Sequence, residues 1–87
     1  MIKEEFRKWL VKEGYKRKVA GNYVSGIKHL SQDLGEDIFQ IKGLERVGKI
    51  SRRYGLDGPK KDVGDWVHGT ARASIIQYEK FVEERFG

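Results

Sequence analysis

Apolar residues between positions 20 and 34 recur at steps of three and four along the chain. This spacing puts them on one side of a helix, and it predicts an amphipathic helix over residues 16–35. Gly35 follows the last apolar position, where helices commonly end. Because such a helix is not stable alone, we expect the other segments to pack on it. Its expected inward residues are Ala20, Tyr23, Val24, Ile27, Leu30, Ser31 and Leu34.

Three further segments with helical spacing predict helices over residues 2–13, 44–54 and 70–86. Gly14 is expected to end the first of them, and Thr70 to cap the start of the last. Gly48 indicates either a close approach to another helix or a weak point in its own helix. The expected inward residues are Ile2, Phe6, Trp9 and Leu10 in the first of these helices, Leu44, Val47, Ile50 and Tyr54 in the second, and Ala71, Ile75, Tyr78, Val82 and Phe86 in the last.

Two connections complete the chain. Residues 35–43 contain Ile38, Phe39 and Ile41, whose alternation suits a strand, but no second strand is available to pair with it. We therefore expect this cluster to pack beneath the helices. Residues 55–69 contain four glycines and Pro59, which predicts a long loop whose second half is anchored by Trp66 and Val67. The whole pattern predicts a single all-α domain over residues 1–87, built from four main helices.

The formal net charge is +5, and the excess lies in residues 1–30, which contain eight Lys or Arg and three acidic residues. A local basic excess favours a polyanionic partner, although it also suits a solvated helix surface. Lys16, Arg17 and Lys18 lie at the start of the second predicted helix, where Ser, Thr, Asp or Asn is preferred. Cations there oppose the helix dipole, and a bound phosphate would relieve that repulsion.

Side chains for catalysis or metal binding are few. The chain has no cysteine, which excludes disulfides and thiolate metal sites, and the two histidines, His29 and His68, cannot complete a zinc site. A Walker-type phosphate loop, a serine nucleophile motif and a calcium-binding loop are all missing. No apolar run is long enough for a membrane helix. We expect a cytoplasmic protein with no catalytic residue, metal, cofactor, small-molecule substrate or membrane partner.

Two stretches of the chain resemble one known domain. The first comprises Phe6, Leu10, Gly14-Tyr15-Lys16, Val19, Tyr23-Val24, Ile27 and Leu30, and the second comprises Thr70-Ala71-Arg72-Ala73-Ser74-Ile75-Ile76, Tyr78 and Phe81-Val82. In these residues the chain resembles the core-binding, SAM-like N-terminal domain of phage-integrase-type tyrosine recombinases. The resemblance covers nearly the whole chain, and it implies an orthogonal bundle of four main helices.

In that family the second and fourth helices face double-stranded DNA, and a catalytic domain follows. The resemblance therefore implies a DNA-binding module without catalysis of its own, attached to a C-terminal catalytic domain in a longer parent chain. The family's Ser and Thr at the start of the second helix are Lys16 and Val19 here. The implied DNA-contacting residues are Lys16, Arg17, Lys18, Asn22, Ser25 and Lys28 on the second helix and Thr70, Arg72, Ser74 and Gln77 on the fourth, with His29 and Lys80 as further candidates.

Other interpretations remain open. Residues 68–84 are also similar to N-terminal domains that precede restriction-type nuclease domains. The alternative function is a protein-interaction or oligomerisation module attached to such a nuclease. It would use an exposed apolar patch formed by Tyr54, Trp66, Ile76 and Phe81. An independent enzyme is the least favoured interpretation.

Overall fold

The computed structural model describes residues 1–87 and contains helices but no strand. The elements in chain order are α1 Ile2–Lys12, α2 Arg17–Leu34, a 3₁₀ turn at Ile38–Gln40, α3 Leu44–Arg53, α4 Lys61–Gly64 and α5 Trp66–Phe86. The prediction of an all-helical fold is confirmed, and the four main predicted helices correspond to α1, α2, α3 and α5. No helix combines the length and the apolar character needed to cross a membrane.

Helix α2 packs against both α1 and α5, and its contact with α5 is the most extensive between any two helices. Eighteen buried apolar residues from the four long helices and the segments around them form one core cluster. From α2 the core takes Ala20, Val24, Ile27 and Leu30, with Tyr23 and Leu34 partly buried beside it. The predicted inward side of α2 is therefore confirmed, and the opposite side of the helix faces solvent.

The connection between α2 and α3 packs beneath the helices, as predicted. The Asp37 carboxylate caps the 3₁₀ turn by accepting a hydrogen bond from the Phe39 N–H at 3.0 Å. The Phe39 ring lies 6.1 Å from the Phe6 ring, and the Tyr78 ring meets Phe6 edge-on with centroids 5.3 Å apart. Tyr78 also donates a hydrogen bond to the Ile41 carbonyl, so its buried hydroxyl is satisfied. These contacts join α1, the connection and α5 in one aromatic cluster.

The predicted ends of α1 and α2 are confirmed, because Gly14 and Gly35 both have positive φ angles where these helices stop. The prediction that Phe86 faces inward is wrong, since its side chain is 44% exposed. Phe86 lies in the last turn of α5, where its ring contacts Phe81 and the Lys42 ammonium.

Residues 55–69 are more regular than the predicted loop, because they contain the short helix α4. Trp66 packs on the core and anchors this region, as predicted, but the prediction that Val67 does so too is wrong, since its side chain is 55% exposed. Val67, His68 and Gly69 then take left-handed backbone angles, with φ of 49°, 56° and 85°, and interrupt α5. Only glycine adopts this conformation readily, so the two preceding residues are strained.

The regular part of α5 begins at Thr70, after the three left-handed residues, so the predicted start of the last helix is confirmed. The prediction that the Thr70 side chain caps this helix is wrong, because its hydroxyl donates a hydrogen bond to the Val67 carbonyl at 2.7 Å. A capping side chain would instead accept a hydrogen bond from a free N–H group of the first turn. The Thr70 side chain therefore stabilises the left-handed break.

Two glycines let helices approach closely. A Cβ atom on Gly26 of α2 would collide with the Ser74 side chain and lie 3.3 Å from the Ala71 Cα on α5. On α3, a Cβ atom on Gly48 would lie 3.3 Å from the Glu79 carboxylate of α5. The sequence left the role of Gly48 open, and the structure favours close helix approach.

Candidate nucleic-acid interface

The N-terminal end of α2 carries three adjacent cations, Lys16, Arg17 and Lys18. All three side chains are exposed, and none belongs to any of the five ion pairs of the domain. Their positive charges are therefore not neutralised by carboxylates of the same chain.

The backbone at this end adds to the positive potential. Lys16 occupies the N-cap position with extended angles of −67° and 153°, and no side chain accepts a hydrogen bond from the first turn. That turn also contains no acidic residue. The free N–H groups and the helix dipole therefore act in the same direction as the three cations, which makes this end of α2 attractive to an anion.

The outer face of α2 continues from this end. Asn22, Ser25 and Lys28 are all exposed, as the sequence predicted for this side of the helix. No Asp or Glu occurs between positions 14 and 32. Lys18 and Lys28 are ten residues apart, or about 15 Å along a helix. The face is thus cationic at both ends, with small polar side chains between them.

The residues expected on the fourth helix lie in different environments. Lys80 is exposed and Gln77 is half-buried, so both reach the surface. Ser74 is fully buried, and its hydroxyl donates a hydrogen bond to the Thr70 carbonyl at 2.7 Å. Because Ser74 is packed against Gly26, its side chain is not available to a partner of the domain.

Arg72 is directed into the domain and is not part of an open surface. Its Nε donates to the Tyr54 carbonyl at 3.0 Å, and its Nη2 donates to the Lys61 carbonyl at 3.0 Å and to the Asp65 carboxylate at 2.7 Å. Only 14% of the side chain is exposed. The guanidinium therefore holds the end of α3 and helix α4 against α5.

Asp65 is the carboxylate partner in this cluster. Lys61 also donates to it, at 3.0 Å. Hydrogen bonds from Lys61, and then from Arg72, lower the pKa of the Asp65 carboxyl below its ordinary value. Both cations of the cluster thus share one carboxylate partner within the chain, whereas the three at the start of α2 have none.

His29, the further candidate on α2, stacks on Trp66, with ring centroids 4.4 Å apart and planes 11° from parallel. The contact joins α2 to the first turn of α5 beside the left-handed break. His29 is therefore half-buried in a packing contact.

The apolar patch expected for the alternative function is not formed as predicted. Tyr54 and Phe81 are fully buried in the core, and Ile76 is 42% exposed. Trp66 is partly buried by its contact with His29. Two of the four residues are thus unavailable to a partner, because the bundle itself covers them.

Sequence reasoning missed two structural roles. The family resemblance implies that Arg72 and Ser74 contact DNA, and both lie off the apolar stripe of their helix. Nothing in the spacing indicates that three groups on preceding segments converge on Arg72. The burial of Ser74 depends on Gly26, a small residue on the facing helix, and that pairing is the only signal that the sequence contains.

No group of three or more His, Cys, Asp or Glu side chains lies close enough together to hold a metal ion. Comparisons of the chain with protein-family models, curated proteins and solved structures found no match. The resemblance to the recombinase domain therefore rests on the residues that carry it.

Proposed function

We propose that this domain binds double-stranded DNA through the N-terminal end and outer face of α2, and that it has no catalysis of its own. The observation that carries the proposal is the set of three exposed cations, Lys16, Arg17 and Lys18, without a carboxylate partner at an uncapped helix end. Such an arrangement opposes the helix dipole and costs stability, whereas an anionic partner would offset that cost.

Each residue has a distinct role in this proposal. Lys16, Arg17, Lys18 and Lys28 contact phosphates, which fixes the position of the helix on the duplex without reading its sequence. Asn22 and Ser25 lie between these cations and reach base edges, where amide and hydroxyl groups can form hydrogen bonds. Gln77 and Lys80 on α5 supply further contacts. The other three residues implied on this helix are left out, because their side chains are committed to contacts within the domain: Thr70, Arg72 and Ser74.

The proposal extends to the parent protein. The domain would be an orthogonal, SAM-like bundle of the integrase type, and the N-terminal module of an integrase- or recombinase-like protein. Cutting and rejoining of DNA would then require a catalytic domain elsewhere in a longer chain. The helical pattern of the sequence supports this part of the proposal.

The test is a fluorescence-anisotropy titration of a labelled duplex with the domain and with a triple variant, Lys16→Gln, Arg17→Gln and Lys18→Gln. Losing three phosphate contacts should weaken binding roughly 100-fold at physiological salt, for all duplex sequences alike. It should also flatten the dependence of affinity on salt concentration, because fewer counterions are released.

The control variant carries Lys12→Gln, Arg52→Gln and Lys60→Gln, which removes the same charge at exposed positions without ion pairs. It should lose much less affinity, since these cations lie outside the proposed surface. Equal losses in both variants would mean that net charge alone drives binding. Unchanged affinity in the first variant would refute the proposed surface.

A further inference from the structure

A cleft of about 660 Å³ lies between the first turn of α1, the second half of α2 and the segment that follows it. Its size falls within the range typical of small-molecule sites. Three lysines from three different segments line it: Lys3 of α1, Lys28 of α2 and Lys42 after the 3₁₀ turn. We call this feature the lysine cleft. No local pattern indicates this cleft, because its lysines are far apart along the chain.

The lysine cleft carries more positive than negative charge. None of its lysines belongs to an ion pair of the domain. Two acidic residues, Glu5 and Asp37, also line the cleft. Glu5 pairs with Arg85 at 3.4 Å, whereas Asp37 accepts the neutral Phe39 N–H at 3.0 Å, a bond that does not cancel its charge. Three lysines therefore line the cleft with two carboxylates, one of them shared with Arg85, and the net charge is positive.

Other groups in the lysine cleft suit an anion that carries an organic part. Gln32 and Gln40 are exposed there and offer amide donors and acceptors, while Ile2 and Phe39 supply apolar surface. The first turn of α1, which forms one wall, has no side-chain cap on its N–H groups. Lysine ammonium groups beside free helix N–H groups are a common environment for phosphate.

We propose that the lysine cleft binds the phosphate group of a phosphate ester. Lys3, Lys28 and Lys42 contact the phosphate oxygens, and the two glutamines with the apolar wall contact the rest of the molecule. The phosphate can come from a free nucleotide or from the backbone of a nucleic acid that continues past Lys28 along α2. The site shares Lys28 with the proposed function but does not use the cations at the start of α2. Substitutions at Lys3 and Lys42 therefore test it separately from that function.

The test compares a double variant, Lys3→Gln and Lys42→Gln, with a control, Lys8→Gln and Lys12→Gln. Both variants lose two cations, and the control positions are exposed on α1 outside the lysine cleft. Adenosine monophosphate is titrated by NMR while amide shifts around the cleft are followed, and a labelled duplex is titrated by anisotropy. Thermal melts of both variants confirm that they are folded.

If the ligand is a free nucleotide, adenosine monophosphate should shift amide signals around the cleft. The double variant should then bind it at least tenfold more weakly, the control should bind it as the parent does, and duplex binding should be unchanged in both variants. If the phosphate instead belongs to a nucleic-acid backbone, the double variant should bind the duplex roughly 30-fold more weakly at physiological salt, because two phosphate contacts are lost. Either result supports the site. If neither ligand distinguishes the double variant from the control, the lysine cleft is not a phosphate site.

Discussion

Arg72 of α5 donates a hydrogen bond to the Asp65 carboxylate at 2.7 Å. Asp65 lies just before the left-handed break that interrupts α5. The same guanidinium donates to the carbonyls of Tyr54 and Lys61. One side chain therefore ties together the end of α3, the short helix α4 and the irregular start of α5. A helix of four residues, such as α4, is not stable alone. We therefore infer that the hydrogen bonds of Arg72 hold α4 in place between α3 and α5.

Replacing Arg72 with methionine should destabilise the domain by about 1–3 kcal/mol. The change keeps the length of the side chain but leaves the Tyr54 carbonyl without its donor. It also removes one of two donors from the Lys61 carbonyl and from the Asp65 carboxylate. Urea unfolding followed by circular dichroism measures the loss. The control is Arg52→Met, which removes an exposed cation without an ion pair and should change stability by less than about 0.5 kcal/mol. Equal, small effects of the two substitutions would show that the Arg72 contacts carry little stability.

The difference in stability between the parent and the Arg72→Met variant should depend on pH, because the pKa of the Asp65 carboxyl is lowered in the folded domain. A carboxyl whose pKa is lower in the folded state stabilises the fold fully above its ordinary value of 3.8. That contribution is lost as the pH falls below 3.8 and through the folded pKa. The stability gap between the parent and the Arg72→Met variant should therefore narrow in acid.

The sequence predicted α3 and α5 but neither α4 nor the contacts of Arg72 that join the three helices. Apolar spacing identifies which side of a helix faces the core, since that property belongs to a single segment. The contacts of Arg72 depend on where two other segments return in space, and no local pattern contains that information. The same reason explains why residues 55–69 were predicted as a loop, although carbonyls and glycines there pack closely.

Gly26 and Gly21 lie five residues apart on α2, and they should respond in opposite ways to alanine. A Cβ atom on Gly26 would collide with the Ser74 side chain, so Gly26→Ala should cost roughly 1–3 kcal/mol through overpacking. A Cβ atom on Gly21 would have nothing within 4 Å. Gly21→Ala should therefore raise stability by about 0.5–1 kcal/mol, since alanine favours the helix.

Urea unfolding of the two alanine variants checks this contrast, and each serves as the control of the other. The double variant Gly26→Ala with Ser74→Gly should recover part of the loss, because it removes the colliding side chain. If Gly26→Ala were as favourable as Gly21→Ala, α2 and α5 would not approach as closely as described. The buried polar Ser74, which the sequence placed on the surface, would then also need another explanation.

The domain should lose stability at alkaline pH because of the buried hydroxyl of Tyr54. Burial, and then its hydrogen bond to Asp33 at 2.7 Å, raises the pKa of the Tyr54 hydroxyl from 10.0 to about 12. The neutral phenol therefore stabilises the fold fully below pH 10, and this contribution is lost as the pH rises through the folded value. A shift of two pKa units corresponds to about 2.7 kcal/mol.

Urea unfolding of the parent and of the Tyr54→Phe variant, at a series of alkaline pH values, measures this contribution of the Tyr54 hydroxyl to stability. The parent should lose stability relative to the variant from pH 10 upward, because phenylalanine does not titrate. The ultraviolet absorbance of phenolate should show Tyr54 and Tyr78 ionising well after the exposed groups, because burial raises the pKa of both hydroxyls. The Tyr54→Phe variant should lose one of these two late ionisations. Parallel pH profiles of the two proteins would mean that the Tyr54 hydroxyl has the same pKa in the folded and unfolded chain.

Lys16 offers a test in which stability and binding change in opposite directions. It occupies the N-cap of α2 with the extended backbone that a capping serine adopts, yet its side chain accepts no hydrogen bond. Lys16→Ser should raise the free energy of unfolding by about 1 kcal/mol, through a new cap and the loss of a cation opposed to the dipole. If Lys16 contacts a phosphate, the same change should weaken duplex binding roughly fivefold at physiological salt.

Lys12→Ser is the matched control for that experiment. Lys12 lies in the last turn of α1, where a cation interacts favourably with the helix dipole, so its loss should lower stability by a few tenths of a kcal/mol. It removes the same charge and should leave duplex binding nearly unchanged. A Lys16→Ser variant that was less stable than the parent would mean that Lys16 has a partner within the domain. The reason to expect an anion at the start of α2 would then disappear.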